Sequence, residues 1–294
     1  MSRIEVLKTY KLYIGGSFPR TESGRYYKPE NKKGEGLGNI CLSSRKDFRN
    51  AVVAARKAQS AWAGRSAYNI AQIIYRIAEN LESRKNDFAA LLQKEENLSA
   101  KKAVEKVESH IDRLIYFAGW ADKYQQLFSN VNPVASSHFN FSMVEPTGVV
   151  AAICHEGGFD ALLASIVATI TSGNTLVVLA DENAPLSAIT FAEVLYHSDL
   201  PGGVVNILTG KVEELYTHFA SHMDVNALLY IGLNNEIIKE AELQAAANLK
   251  RFRAYSPDKL KNENFENPFV IKEFTEVKTT WHPIEQIGGS APAY

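Results

Sequence analysis

Cysteine is the residue type in this sequence that could act as a nucleophile. The 294 residues contain two, Cys41 and Cys154, and Cys154 is followed directly by His155. A reactive thiol requires a lowered pKa and a neighbouring base. Adjacent residues on a strand point to opposite faces, however, so Cys154 and His155 cannot pair if a strand runs through them. Cys154 is therefore a weak catalytic candidate, and a buried structural cysteine is the favoured interpretation.

Histidine offers one spacing that metal sites use. His218 and His222 stand four residues apart in a helical segment, which places both on one helix face. No Glu follows the first histidine, and no third ligand is apparent. Two cysteines supply neither a disulfide framework nor a zinc site of the Cys2His2 type. The sequence therefore predicts no metal site, and its cysteine content fits a reducing compartment.

Composition and charge exclude several classes of protein. Hydrophobic residues make up 46% and charged residues 22% of the chain, as in folded globular proteins. The 32 Lys and Arg nearly balance the 33 Asp and Glu, so the basic excess of nucleic-acid binders is missing. No apolar stretch fits a signal peptide or a membrane span. We therefore expect a cytoplasmic protein that binds neither nucleic acid nor membrane.

The spacing of apolar residues predicts the elements that would position these side chains. Helices are predicted over 45–59, 68–81, 85–95 and 101–127. After residue 147, helices alternate with strands predicted over 148–154, 175–180, 204–210, 227–232 and 249–256. This alternation predicts a parallel sheet with crossover helices. Such a sheet binds ligands at the carboxyl ends of its strands.

Two further strand-like segments lie outside that unit, at 134–146 and 270–281. We predict that they pair in a small separate sheet. An exposed apolar edge invites aggregation, so we expect another chain to cover this sheet. The residues predicted at that contact are Phe139, Phe141 and Met143 on one segment and Val277 and Trp281 on the other.

Eight segments, taken in order, resemble the aldehyde dehydrogenase superfamily. They include EPTGVVAAI (145–153), SGNTLVVL (172–179), LPGGVVNILTG (200–210) and FTEVKTTW (274–281). The resemblance implies an α/β fold with a Rossmann-like parallel sheet, N-terminal helices and a small β oligomerisation sheet. The implied organisation is an NAD-binding-like domain over 1–130 and 148–256, an oligomerisation sheet over 131–147 and 269–283, a polar linker over 257–268 and a tail over 284–294.

The same resemblance shows which catalytic parts this sequence lacks. The family's catalytic domain, with its nucleophilic cysteine, would fall where the linker 257–268 stands. The family's Pro-Trp-Asn motif, whose Asn helps hold the oxyanion, aligns near Cys154–Gly158, which reads CHEGG. The general-base glutamate aligns best with Tyr255. The resemblance therefore implies that catalysis by this chain alone is lost.

The family's dinucleotide-binding positions are also altered. Leu179 replaces the lysine that grips the adenosine ribose, while Glu182 keeps the acid of that motif. Gly232 matches a glycine that meets the pyrophosphate, but Ile237 replaces a second glycine and blocks the backbone approach. Glu182 and Gly232 are therefore weak candidates for residual NAD binding, and the favoured expectation is no cofactor.

The favoured hypothesis is a pseudoenzyme that acts as an assembly or regulatory subunit. In the family, the small sheet lies against the catalytic domain of a neighbouring subunit. The resemblance therefore implies as partner a complete NAD(P)-dependent aldehyde dehydrogenase or a second copy of this chain. Two alternatives stay open. One is an oxidoreductase that uses Cys154 or is completed by a partner, and the other is a dinucleotide-sensing module.

Overall fold

The computed structural model describes residues 8–284, so residues 1–7 and the predicted tail beyond Ile284 lie outside the described residues. The strands are β1 (Thr9–Tyr10), β2 (Tyr26–Tyr27), β3 (Asn39–Cys41), β4 (Asn130–Asn132), β5 (His138–Pro146), β6 (Val149–Cys154), β7 (Thr175–Leu179), β8 (Val205–Leu208), β9 (Ala227–Ile231), β10 (Arg251–Tyr255) and β11 (Thr275–Pro283). The helices are α1 (Arg45–Ala63), α2 (Ala67–Ser83), α3 (Lys85–Glu96), α4 (Ala100–Trp120), α5 (Tyr124–Phe128), α6 (Gly158–Ile170), α7 (Pro185–Tyr196), α8 (Val212–Ser221), α9 (Asn235–Ala246), α10 (Asn262–Phe265) and α11 (Phe269–Lys272), with a 3-10 helix at Pro257–Leu260.

A five-stranded parallel sheet forms the centre, in the order β10-β9-β6-β7-β8. Helices α1, α8 and α9 pack on one face of the sheet. Helices α6 and α7 pack on the other face, together with α2, α3 and α4. Because both faces are covered, every residue of β6 and β7 is buried, which explains their unbroken apolar sequences. The predicted α/β fold with a Rossmann-like parallel sheet is confirmed.

Local signals in the sequence account for the helix ends. Ser44 caps α1: its hydroxyl accepts from the Asp47 N–H at 3.3 Å, and the Asp47 carboxylate accepts from the Ser44 N–H at 2.8 Å. The single helix predicted over 101–127 was wrong, because the chain turns between α4 and α5. There the Lys123 ammonium donates to the Gly119 carbonyl, a partner that the helix would otherwise have to supply.

A separate three-stranded antiparallel sheet has the order β11-β5-β4. Strand β11 pairs with β5 over nine residues, from Thr275 opposite Pro146 to Pro283 opposite His138. The predicted pairing of the two edge segments is therefore confirmed. Val144 is 1% exposed and joins the main core, so it anchors this sheet to the central unit.

The segment predicted as a polar linker is folded, and that prediction was wrong. Leu260 and Phe265 are buried within it, because both side chains join the main core. The Arg113 guanidinium donates to the Leu260 carbonyl at 2.6 Å and lies over the Phe265 ring. Helix α11 then occupies the start of the predicted strand 270–281, so β11 begins at Thr275. No helix within residues 8–284 is both long and apolar enough to cross a membrane.

Candidate functional site

The carboxyl ends of β6, β7 and β9 meet at one edge of the central sheet, where ligands of such folds bind. Cys154 ends β6, and its side chain is fully buried. Its sulfur lies 3.6 Å from the Ser165 hydroxyl of α6. Burial raises the pKa of the Cys154 thiol to about 12. The structure therefore gives Cys154 the surroundings of a structural cysteine and holds it as a neutral thiol.

His155 points away from that thiol. Its Nδ1 lies 2.5 Å from the hydroxyl of Tyr230, which ends β9. Burial raises the pKa of Tyr230 to about 12, and the nearby Glu156 carboxylate adds to this rise. The two hydrogen-bonded side chains connect the loop after β6 to the end of β9. This hydrogen bond therefore joins the loop after β6 to β9, while the Cys154 sulfur lies beside Ser165 instead.

Two glycines form the turn from β6 into α6. Gly157 and Gly158 have φ angles of +100° and +53°, values that glycine adopts without strain. The Gly158 N–H donates to the Asp181 carboxylate at 3.0 Å. The resemblance places the family's Pro-Trp-Asn motif near this turn. The Gly158 N–H is already bound to a carboxylate of the same chain.

The loop after β7 carries the predicted Glu182. This side chain is half-buried, and burial raises the pKa of its carboxyl, as do the neighbouring Glu213 and Asp181. Leu179 is fully buried within β7 and offers no polar contact. A ribose at this edge would therefore meet one carboxylate, and no lysine at the position that the family motif uses.

The start of α9 is where a pyrophosphate would need free backbone donors. The Asn234 side chain accepts from the N–H groups of Glu236 and Ile237 at 3.1 and 3.2 Å. The Leu233 N–H points to a Glu156 carboxylate oxygen at 3.4 Å. Donors that could meet a phosphate are therefore taken by the chain's own side chains.

Gly232 keeps this edge closely packed. A Cβ at this position would lie 3.1 Å from the Tyr230 hydroxyl and 3.2 Å from the Cβ of His155. Close packing against the Tyr230–His155 pair is therefore sufficient to explain a glycine at this position, without any ligand. The carboxylate of Glu156 beside Leu233 would also repel an incoming phosphate. A pyrophosphate at this position would therefore have to displace the Asn234 cap and the contact between Glu156 and Leu233.

Tyr255, at the position that the family resemblance assigns to the general base, ends β10 and is buried. Its hydroxyl donates to the Glu273 carboxylate at 2.5 Å, and burial raises its pKa. Lys259 lies 3.7 Å over the same ring and 3.1 Å from Glu273. No sequence pattern pointed to Glu273, because it lies 18 residues from Tyr255, in the turn that follows α11. This cluster connects β10 to the start of β11.

The five residues predicted at the contact surface lie on two opposite faces of the small sheet. Phe139, Phe141 and Met143 lie opposite His282, Thr280 and Lys278. Val277 and Trp281 lie opposite Val144 and Asn140, on the other face. Side chains of β5 and β11 that are directly opposite share a face, so the antiparallel register separates the two sets.

Both faces of this sheet expose large apolar side chains. Phe139 is 45% exposed, while Val277 and Trp281 are 60% and 57% exposed. Phe141 and Met143 line a shallow groove with Val131, which is exposed on β4. Within residues 8–284, the outer edges of β4 and β11 pair with no strand. Apolar faces and open edges of this kind are typical of surfaces that bind another chain.

The two histidines at metal-ligand spacing have ordinary surroundings. The Nδ1 of His222 accepts from the Asp224 N–H at 3.2 Å, and its ring packs edge-on against Phe48. Burial lowers the pKa of both His218 and His222. Across the described part of the chain, no three or more His, Cys, Asp or Glu side chains are arranged to hold a metal ion.

Comparisons with known proteins give a consistent result. The model of the aldehyde dehydrogenase family matches residues 19–255. "Putative aldehyde dehydrogenase DhaS" of Bacillus subtilis is 32% identical over 83% of this chain and 49% of its own length. "Benzaldehyde dehydrogenase, mitochondrial" of Antirrhinum majus is 28% identical over 91% of this chain and 49% of its own length. This chain thus spans about half the length of the curated relatives it matches.

Solved structures agree at the level of fold. The NAD+ complex of an aldehyde dehydrogenase from Bacillus cereus has a TM-score of 0.79 at 24% identity, over 85% of this chain and 51% of that chain. The structure titled "Crystal Structure of a Putative Aldehyde Dehydrogenase from Burkholderia cenocepacia" has a TM-score of 0.78 at 25% identity, over 85% of this chain and 50% of that chain. The former neighbour holds NAD+, so the comparison does not support the expectation that this chain binds no cofactor.

Proposed function

This chain belongs to the aldehyde dehydrogenase family, and we propose that it is a catalytically inactive member that serves as an assembly or regulatory subunit of a complete NAD(P)-dependent aldehyde dehydrogenase. The observation that carries the proposal is the small sheet, whose two faces expose Phe139, Val277 and Trp281. A sheet with apolar faces and open edges is stabilised when a partner covers it.

The residues at the carboxyl ends of the central strands support the proposal that the chain is catalytically inactive. Aldehyde oxidation in this family needs a thiolate nucleophile, an oxyanion donor and a general base. Cys154 is buried as a thiol, the segment CHEGG at 154–158 carries no Asn, and Tyr255 is bound to Glu273. The chain connects β10 to β11 through residues 256–274, which form short helices and bury Phe265. We infer that this short connection stands in place of a catalytic domain.

Residues at the same carboxyl-end edge of the central sheet support the proposal that dinucleotide binding is weak or absent. Asn234 caps the start of α9, and Glu156 places a carboxylate beside the Leu233 N–H. A pyrophosphate would have to displace the Asn234 cap and the Glu156 contact. Its negative charge would then lie next to the negatively charged Glu156 carboxylate. We therefore propose that the pure chain does not bind NAD+ in the manner of the family.

The test is to co-express the chain with the complete aldehyde dehydrogenase of the same genome and to measure the mass of the complex by light scattering. We expect a stable complex that Val277→Asp or Trp281→Ala weakens. Val53→Asp is a matched control, because Val53 on α1 is 61% exposed against 60% for Val277. A monomeric chain that forms no complex with the enzyme, or equal loss with Val53→Asp, would overturn the proposal.

Activity and cofactor binding are tested on the pure chain. We expect no NAD+-dependent aldehyde oxidation above a heat-denatured control and no saturable change in fluorescence with NAD+ or NADH. Oxidation that disappears in Cys154→Ser would establish an enzyme instead. Saturable nucleotide binding without turnover would establish a sensing module.

A further inference from the structure

The central sheet has an open edge of its own, at β10. Arg251 donates its N–H to the Asn226 carbonyl, and Tyr255 accepts from the Gly232 N–H. These bonds and the parallel register with β9 place the backbone groups of alternate residues toward β9. Those of Phe252 and Ala254 therefore face away from the sheet. No strand within residues 8–284 pairs with this side of β10.

This edge borders a groove that lies between β10 and the first residues of β11. Its lining includes Arg251, Arg253 and Lys272 as cations and Glu273 and Glu276 as carboxylates. Glu276 is held by Arg251 at 2.8 Å, and Glu273 is shared by Arg253 at 3.4 Å and by Lys259 at 3.1 Å. Three cations against two carboxylates leave an excess of one positive charge in the lining of the groove.

The Arg253 side chain also contacts the outer edge of β10 directly. Its guanidinium donates to the Phe252 carbonyl at 2.9 Å, so one outward acceptor is occupied by the chain itself. Cationic side chains at an open edge disfavour pairing between identical edges. If two copies paired through β10, Arg251 and Arg253 of each would face the same cations of the other. The charge therefore opposes a second copy and favours an acidic segment.

We propose that the outer edge of β10 is a docking site for an extended, acidic segment of a partner polypeptide, which adds to the central sheet as a sixth strand. The partner's backbone pairs with the outward N–H groups of Phe252 and Ala254 and with the Ala254 carbonyl, and its carboxylates meet Arg251 and Arg253. The groove beside this edge includes Val277, which also lies on one face of the small sheet, but the outward backbone groups of β10 belong to the central sheet alone. It assumes a partner chain, as the proposed function does, but it does not depend on that partner being a dehydrogenase.

The probe is a blocked ten-residue peptide of alternating Val and Glu, added to the full chain, with an alternating Val and Lys peptide as its control. Amide exchange measured by NMR reports on the backbone of β10. We expect the acidic peptide to slow exchange at Phe252 and Ala254 at least tenfold, and the basic peptide to have no effect. High salt should weaken the binding, because the contact is electrostatic in part.

Two variants separate strand addition from simple charge attraction. Ala254→Pro removes an outward N–H at an edge position that tolerates proline, so it should abolish binding while the charges remain. The double variant Arg251→Glu/Arg253→Glu should weaken binding at least tenfold, while Lys239→Glu on the exposed side of α9 should not.

Several results would overturn the proposal. They are equal binding of both peptides, binding that survives Ala254→Pro, and an absence of protection at Phe252 and Ala254. Protection already present in the free chain, and lost when residues 285–294 are deleted, would assign the edge to the chain's own terminus instead. None of these results bears on the small sheet, so the proposed function is tested separately.

Discussion

Glu95 offers a quantitative test of how this fold positions the loop that carries Glu182. Glu95 is 4% exposed, and its carboxylate accepts from the N–H groups of Leu186 and Ser187 at the start of α7. Burial raises the pKa of Glu95 from 4.5 to about 7, although those hydrogen bonds lower it in part. The folded chain therefore binds this proton more tightly than the unfolded chain.

The sign of the effect follows from linkage. The contribution of Glu95 to the free energy of unfolding is fully present below pH 4.5 and is lost as the pH rises to about 7. A shift of about 2.5 pKa units corresponds to about 3 kcal/mol. Glu95→Gln cannot ionise, so the variant should lack this loss. Relative to wild type, it should therefore gain about 3 kcal/mol between pH 4.5 and pH 8.

The assay is urea unfolding of wild type and Glu95→Gln at several pH values over that range. Glu105→Gln is the control, because its side chain is 57% exposed on α4. The control should follow wild type at every pH. If the difference between Glu95→Gln and wild type stays constant with pH, then Glu95 ionises in its ordinary range and its burial does not raise its pKa.

Ser44→Ala should lower the free energy of unfolding by about 1 kcal/mol through loss of the α1 cap, as measured in urea, whereas an unchanged value would mean that the cap contributes nothing. Phe265→Ala should cost about 3–5 kcal/mol because its side chain is fully buried, and a cost below about 1 kcal/mol would show that the 257–268 segment is a loose linker after all. Cys154 should resist a maleimide reagent in the folded chain at pH 8 and react after unfolding in urea, while rapid labelling of the folded chain would show an accessible thiolate.

Much of the fold could be predicted because its signals are local. Helical spacing and the Ser44 cap located α1, and the alternation of apolar strands with helices located the parallel sheet. The pairing of β5 with β11 was also predictable from their alternating residues. What the sequence could not give was the register. Antiparallel pairing places Phe139 and Trp281 on opposite faces, and a shift of one residue would have placed them together.

The candidate site was less predictable, because its decisive contacts join residues far apart in sequence. The missing lysine at Leu179 and the altered glycine at Ile237 were visible in the sequence. The carboxylate of Glu156 beside Leu233 and the bond from Tyr255 to Glu273 were not, since each depends on how two loops meet. The buried Phe265 was missed for a related reason. Polar neighbours surround it, and only the tertiary fold turns its side chain inward.

We propose that the small sheet binds a complete aldehyde dehydrogenase, and hydrogen–deuterium exchange of the chain with and without that enzyme measures this contact. We expect slower exchange over 138–146 and 275–283 when the enzyme is present, and unchanged exchange over α1. Unchanged exchange in both strands of the small sheet, under conditions where the enzyme is in excess, would contradict it.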